Sequence, residues 1–158
     1  MKVFIAYPPL QSQKGCPTVG QNRQFQYFKE PTYIYPVVPA SAATLLSNAG
    51  HKVRWVDSQA QQVSVDQFYA LVSDEKPDLI AFESKTPIIK QLWIICDRLK
   101  ALNPQLAIAL FGDHVTALPQ ESMQNSQIDY VVTGGDYDFL LLNLSEYLQS
   151  GRKKTLEP

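Results

Sequence analysis

Five times along this chain a short run of β-favouring residues gives way to a segment whose apolar residues recur at helical spacing, and no other feature narrows the possible folds as much. The clearest instance is Leu106 to Phe111 (LAIALF), which breaks into Gly112-Asp113-His114-Val115-Thr116 before helix-compatible residues. Asp78 to Phe82 runs into Glu83-Ser84-Lys85-Thr86 ahead of a helix opening at Pro87, and Asp129 to Val132 runs into Thr133-Gly134-Gly135 ahead of one opening near Asp136. Lys2 to Tyr7, stopped by Pro8-Pro9, and Lys52 to Val56, ending at Asp57-Ser58, complete the strands.

Strict βα alternation through right-handed crossovers predicts an α/β fold, a doubly wound, flavodoxin-like or Rossmann-like sheet of five parallel strands in the order 2-1-3-4-5. The switch point then lies between the first and third strands. Tyr7-Pro8, Glu83 to Thr86, Gly112 to Thr116 and Thr133 to Gly135 share the rim at the carboxyl ends of the strands, where open α/β sheets hold their ligands.

The helices follow from periodicity and end signals. Pro39 suits a first helical turn, and Ala43, Leu45 and Leu46 point inward until Gly50 closes the helix that runs to Asn48. Ser64 with Gln67 forms a capping box for a helix through Val72, with Val65, Phe68, Leu71 and Val72 as its apolar stripe. Ile88, Leu92, Ile95 and Leu99 mark a long helix that stops before Asn103-Pro104. A short helix is expected around Pro119 to Met123 and a final one from Tyr137 to Gln149. Leu10 to Tyr35 shows no periodicity and holds Phe25, Tyr27, Phe28, Tyr33 and Tyr35. A loop of that length with that many aromatics is expected to be packed, with Phe25, Tyr27 and Phe28 as loop core.

At 158 residues and 45% hydrophobic content the chain can bury one ordinary core, so residues 1–150 are read as one domain and 151–158 as a tail or the start of a linker. A net charge of -1 and a pI near 6.1 give no basic stripe for nucleic acid, and Arg152-Lys153-Lys154 is too short to supply one. The opening MKVFIAYPPL lacks a small-residue cleavage pattern, and no apolar segment reaches the roughly 18 residues of a membrane span. A cytoplasmic protein without membrane partners is expected. Cys96 lies on the apolar face of its helix and Cys16 in a loop without neighbouring ligands, so no zinc or iron–sulfur site can be built from them.

Familiar site signatures are missing. Tyr7-Pro8-Pro9 stands where a glycine-rich phosphate turn would follow the first strand. A phosphoacceptor would want an acidic cluster there and an Asp at position 83, which is Glu. No nucleophile elbow with Ser, His and Asp is present either.

What the chain resembles is the cobalamin-binding domain that precedes the catalytic barrel in cobalamin-dependent radical S-adenosylmethionine enzymes, many of them methyltransferases. Four segments carry the resemblance: the strand ending in Tyr7-Pro8-Pro9; Tyr35 to Val53 (YPVVPASAATLLSNAGHKV), similar to a Pro-x-x-x-x-x-Ala-x-x-Leu-x-x-x-Gly-His-x-Val pattern; Gly112 to Pro119; and Val131-Val132-Thr133-Gly134-Gly135. The last departs from the Gly-Glu-Gly-Glu more usual there. The wider cobalamin-binding pattern carries Asp-x-His-x-x-Gly after its first strand, with the imidazole on cobalt, and here that position is proline-rich. The resemblance therefore implies cobalamin bound with its own base displaced and without a histidine ligand.

On that reading the cofactor-binding candidates are Tyr7, Pro8, Ser84, Lys85, Thr86, Gly112, Asp113, His114, Val115, Thr133, Gly134 and Gly135, with no catalytic residue and no protein metal ligand. Gly112 is expected to lie where the ligand comes closest to the backbone, so that a side chain there would fill the rim and weaken binding. Ser84 is expected to be free to touch the corrin or its nucleotide tail, and Gly134 and Gly135 to line the tail channel. Lys85 reads either as a solvated rim residue or as a partner for a corrin carboxamide or phosphate. Thr86 reads as the N-cap before Pro87, and His114 as a solvent-facing or capping imidazole. Radical chemistry would need Cys-x-x-x-Cys-x-x-Cys for an iron–sulfur cluster. The chain lacks it, so the cluster and S-adenosylmethionine would belong to a C-terminal domain, in cis or in trans. The rival reading is a stand-alone sensor or protein-interaction domain of flavodoxin-like shape that binds no cobalamin.

Overall fold

Strands β1 (Lys2–Tyr7), β4 (Lys52–Asp57), β5 (Leu79–Glu83), β6 (Ala107–Phe111) and β7 (Tyr130–Val132) form one parallel sheet in the order β4-β1-β5-β6-β7. This is the topology expected from the alternation. A computed structural model describes residues 1–20, 25–30 and 32–151, so the basic tail and the proposed linker lie outside the described residues except for Gly151. The register pairs Val3 with both Val53 and Leu79, Ala81 with Ala109, and Phe111 with Val132.

The central strands are apolar at nearly every position because both faces of a parallel sheet are covered by helices. Phe4, Ala6, Ile80, Phe82, Ile108 and Leu110 pack against Phe68 and Val72 of α2 (Val65–Glu75) and Leu92, Cys96 and Leu99 of α3 (Ile89–Leu102). Val3, Ile5, Leu79, Ala81, Ala109 and Phe111 face Ala42 and Leu46 of α1 (Val37–Asn48) and Leu141 and Leu144 of α6 (Tyr137–Gln149). Each large side chain so buried stabilises the fold by roughly 1.5–3 kcal/mol. At the β4 edge, Lys52 and Arg54 are exposed, and charge there discourages pairing with another chain.

Local signals account for several boundaries. Ser64 Oγ accepts from the Gln67 amide at 3.2 Å while Gln67 Oε1 accepts from the Ser64 amide at 2.9 Å, the capping box read from the sequence. Elsewhere the structure is more articulated than expected. The long loop contains a two-stranded antiparallel piece, β2 (Cys16–Pro17) with β3 (Tyr27–Phe28), and Leu10, Val19 and Phe25 pack on the core. Leu45 is only half-buried, and Ala42 rather than Ala43 takes the buried position on α1. The segment after β6 forms two short helices, α4 (Asp113–Ala117) and α5 (Pro119–Asn125), because the proline can start a helix but cannot continue one. Among the described residues no helix is long and apolar enough to cross a membrane.

Candidate functional site

The rim above the strand ends is built on a tight junction between β5 and β6. Ser84, just past β5, donates to the Phe111 carbonyl twice, from its amide at 2.6 Å and from its hydroxyl at 2.7 Å. The next residue of the neighbouring strand, Gly112, adopts φ 104° and ψ −169°, a region open essentially to glycine alone. A Cβ at Gly112 would sit 2.8 Å from the Ser84 carbonyl oxygen and 3.1 Å from its nitrogen. The bare side of Gly112 therefore faces the protein, not the rim, and its conformation serves strand-to-strand packing. Ser84 is fully buried with its hydroxyl occupied, instead of being free for a ligand.

That junction gathers a charged network under the rim. Tyr7, at the end of β1, donates from its hydroxyl to Glu83 Oε2 at 2.5 Å. Lys85 Nζ lies 3.2 Å from Glu83 Oε1 and donates to Asp113 Oδ2 at 2.6 Å. Burial pushes the Glu83 carboxyl above the usual carboxylate range, and the Tyr7 hydrogen bond and the Lys85 charge offset it only in part. Burial pulls the Lys85 ammonium down, but the bonds and charges of Asp113 and Glu83 outweigh it, so the ammonium is held above its ordinary value. The Tyr7 phenol is raised by burial and by Glu83, which keeps it a donor. Lys85 is thus neither solvated nor free. Glu83, absent from the sequence candidates, is the centre of the network; an acidic residue closing an otherwise apolar buried strand was the signal available.

His114 also departs from expectation. Its ring is buried, with Nδ1 3.2 Å from the Thr86 hydroxyl, Nε2 3.5 Å from a Glu121 carboxylate oxygen, and an edge contact to Trp93. Thr86 opens a 3-10 turn at Thr86–Ile88 and spends its hydroxyl on that ring, not on a helix cap. Val115 and Pro8 are buried as well. The open part of the rim consists of Thr86, Asp113, Thr133, Gly134 and Gly135, all exposed. A Cβ at Gly134 or Gly135 would meet nothing within 4 Å, so a ligand can approach that backbone directly.

Two shallow grooves continue the rim. One, about 590 Å³, lies between the segment Tyr33 to Pro36, the start of α1, and Trp55 and Asp57 at the end of β4. The other, about 420 Å³, lies between α1 and the start of α6, and Tyr35 and Ala40 belong to both. Tyr33, Ile34, Tyr35, Val37 and Phe139 leave apolar surface exposed here, Tyr35 most of all at 74%. The sequence suggests a packed loop for Tyr33 and Tyr35 and gives Phe139 no role beyond its helix, because a cluster that assembles from the residues before α1 and the first turn of α6 has no single sequence signature. Among the described residues no group of three or more His, Cys, Asp or Glu could hold a metal.

Residues 31–139 match the family described as the B12 binding domain. The chain is similar to an uncharacterized methyltransferase of Pyrococcus horikoshii, 20% identical over 155 residues that cover 97% of this chain and 30% of that protein. It is also similar to the anaerobic magnesium-protoporphyrin IX monomethyl ester cyclase of Rubrivivax gelatinosus, 29% identical over 119 residues, or 74% of this chain and 21% of that one. The chain thus spans less than a third of the length of either relative. Among solved structures it is similar to NtrX from Brucella abortus, determined in complex with ATP, with a TM-score of 0.56 at 13% identity over 96% of this chain and 27% of that one, a likeness of fold.

Two predictions follow from the junction and the buried ring. Gly112→Ala should lower the free energy of unfolding by about 2–4 kcal/mol in denaturant titration, from backbone strain plus overpacking; an unchanged midpoint would contradict the inward reading. Burial holds the His114 pKa below its ordinary 6.5, with Glu121 opposing, so the unfolded chain takes up the proton first. Stability from this group is full above that value and falls as pH drops through it. Between about pH 7.5 and about pH 5.5 the thermal midpoint should fall less in His114→Gln than in the wild type. Comparing the two chains cancels His51, which is depressed by burial in the same way, and Glu83, whose shift acts in the opposite direction.

Proposed function

Since the chain belongs to the B12-binding domain family, we propose that it holds cobalamin across the C-terminal rim of its sheet, without a histidine on cobalt, as the cofactor-binding module of a larger radical S-adenosylmethionine enzyme that transfers methyl groups. The observation that carries this reading is the contrast between an internally satisfied underside and an open, partly apolar shelf. The corrin is a broad planar macrocycle with apolar faces, and the exposed side chains of Tyr33, Ile34, Tyr35, Val37 and Phe139, with the bare backbone at Gly134 and Gly135, suit it.

The placement of the histidines supports a cobalt without a protein imidazole. The sequence contains two histidines. His51 precedes β4 at the opposite edge of the sheet, and His114 is buried between Thr86 and Trp93. Bound at the rim, cobalamin would supply a cobalt centre able to accept and release a methyl group, which no side chain there can do. Thr86, Asp113, Thr133, Gly134 and Gly135 are the candidates that would touch it. Tyr7, Pro8, Ser84, Lys85, Gly112, His114 and Val115 would support it from beneath.

The enzymatic context is supported by the resemblance of the Tyr7-Pro8-Pro9 and Tyr35 to Val53 segments to the cobalamin domains of radical S-adenosylmethionine enzymes. A relative named as a methyltransferase, much longer than the matched region, supports it too. On this reading the iron–sulfur cluster and S-adenosylmethionine sit in a C-terminal domain, in cis or in trans.

Mixing the protein with hydroxocobalamin and passing it through a desalting column tests the proposal. The expected result is a coloured, stoichiometric complex whose reduced cob(II)alamin form shows no nitrogen hyperfine splitting from an axial base. A colourless protein fraction would overturn cobalamin binding, and histidine hyperfine splitting would overturn the ligand-free cobalt.

A further inference from the structure

Asp113 is the one member of the buried charged network that reaches solvent, its side chain 64% exposed while those of Glu83 and Lys85 are each 6% exposed. Its Oδ2 is pinned by Lys85 at 2.6 Å, Lys85 is braced by Glu83, and Glu83 is fixed in turn by the Tyr7 hydroxyl. Among the described residues Oδ1 has no hydrogen-bond partner. The strand-end junction thus presents one oriented carboxylate oxygen, an acceptor open to solvent, beside the open glycine turn. An ordinary surface aspartate turns freely; this one has been ordered in advance, which lowers the entropy lost when a donor arrives.

A fixed carboxylate acceptor selects for N–H donors and against other carboxylates. The periphery of cobalamin carries primary carboxamides, whereas incompletely amidated corrinoids carry carboxylates at the same positions. Resting on the proposal that cobalamin occupies this rim, we propose that Asp113, oriented by Lys85, is a specificity-determining residue that accepts a hydrogen bond from a peripheral carboxamide of the corrin and so favours amidated over carboxylate-bearing corrinoids. Lys85 is a positioning residue in this account, acting through Asp113.

The test compares absorbance titrations with two probes that share the macrocycle and lack the nucleotide tail: cobinamide, whose edge is amidated, and cobyrinic acid, whose edge is carboxylate. Wild-type protein should bind cobinamide more tightly. Asp113→Asn keeps the size and an acceptor oxygen but adds a donor and removes the charge, so the preference should shrink about tenfold, mainly by gained affinity for cobyrinic acid. Because position 113 is exposed, this variant should fold, which thermal unfolding checks. Lys85→Met should weaken cobinamide binding, and if that variant fails to fold, the Asp113→Asn ratio alone decides. An unchanged preference in folded Asp113→Asn that still binds cobinamide would overturn the specificity proposal and leave cobalamin binding standing. Failure of the wild type to bind either probe or hydroxocobalamin would overturn both.

Discussion

The contact between Ser84 and the Phe111–Gly112 turn governs what the rim can be. Two hydrogen bonds from Ser84 to one carbonyl draw the ends of β5 and β6 together, and only a residue without a side chain can complete the turn at that separation. Glu83 and Lys85 on one strand end and Asp113 on the other meet because of it. Opening the junction by the width of a methyl group would draw Asp113 away from Lys85 and leave the buried ammonium with Glu83 as its remaining carboxylate partner.

The division of labour across the rim follows from this packing. Residues that close strands β1, β5 and β6 are committed to one another, through Tyr7 to Glu83, Glu83 to Lys85 and Lys85 to Asp113. Among the described residues, Thr133 to Gly135 after β7 and Tyr33 to Pro36 before α1 take no part in that network. Thr133 to Gly135 stand open, and Tyr33 to Val37 expose apolar surface toward two grooves. A rigid, internally paired floor beside an open shelf is a suitable support for a cofactor that brings its own reactivity, since the protein then supplies binding, orientation and electrostatics.

Much of the architecture could be read in advance because it depends on periodicity and handedness, which are local. Leu106 to Phe111, Asp78 to Phe82 and the Ser64–Gln67 capping box behave in the structure as their spacing implies. The direction in which a turn residue points is not local. Gly112 could have opened toward a ligand or toward its neighbour, and its positive φ, set by the register of β5 against β6, chose the neighbour. Ser84 and Lys85 look like free polar residues in the sequence, and only the position of Phe111 and Asp113 across the sheet shows that both are spent. His114 reads as a solvent-facing or capping imidazole until Trp93 and Glu121 close over it from two other helices. The shelf itself was hidden because its aromatics assemble from segments about a hundred residues apart.

The central claim is that cobalamin lies on this rim and nowhere else. Backbone amide chemical shifts recorded with and without hydroxocobalamin, which is diamagnetic, test it directly. The account predicts shifts concentrated at Thr86, Asp113, Thr133, Gly134 and Gly135 and across Tyr33 to Val37, with the opposite edge at His51 and Asp78 unmoved. Shifts centred on that opposite edge, or none at saturating cobalamin, would contradict it.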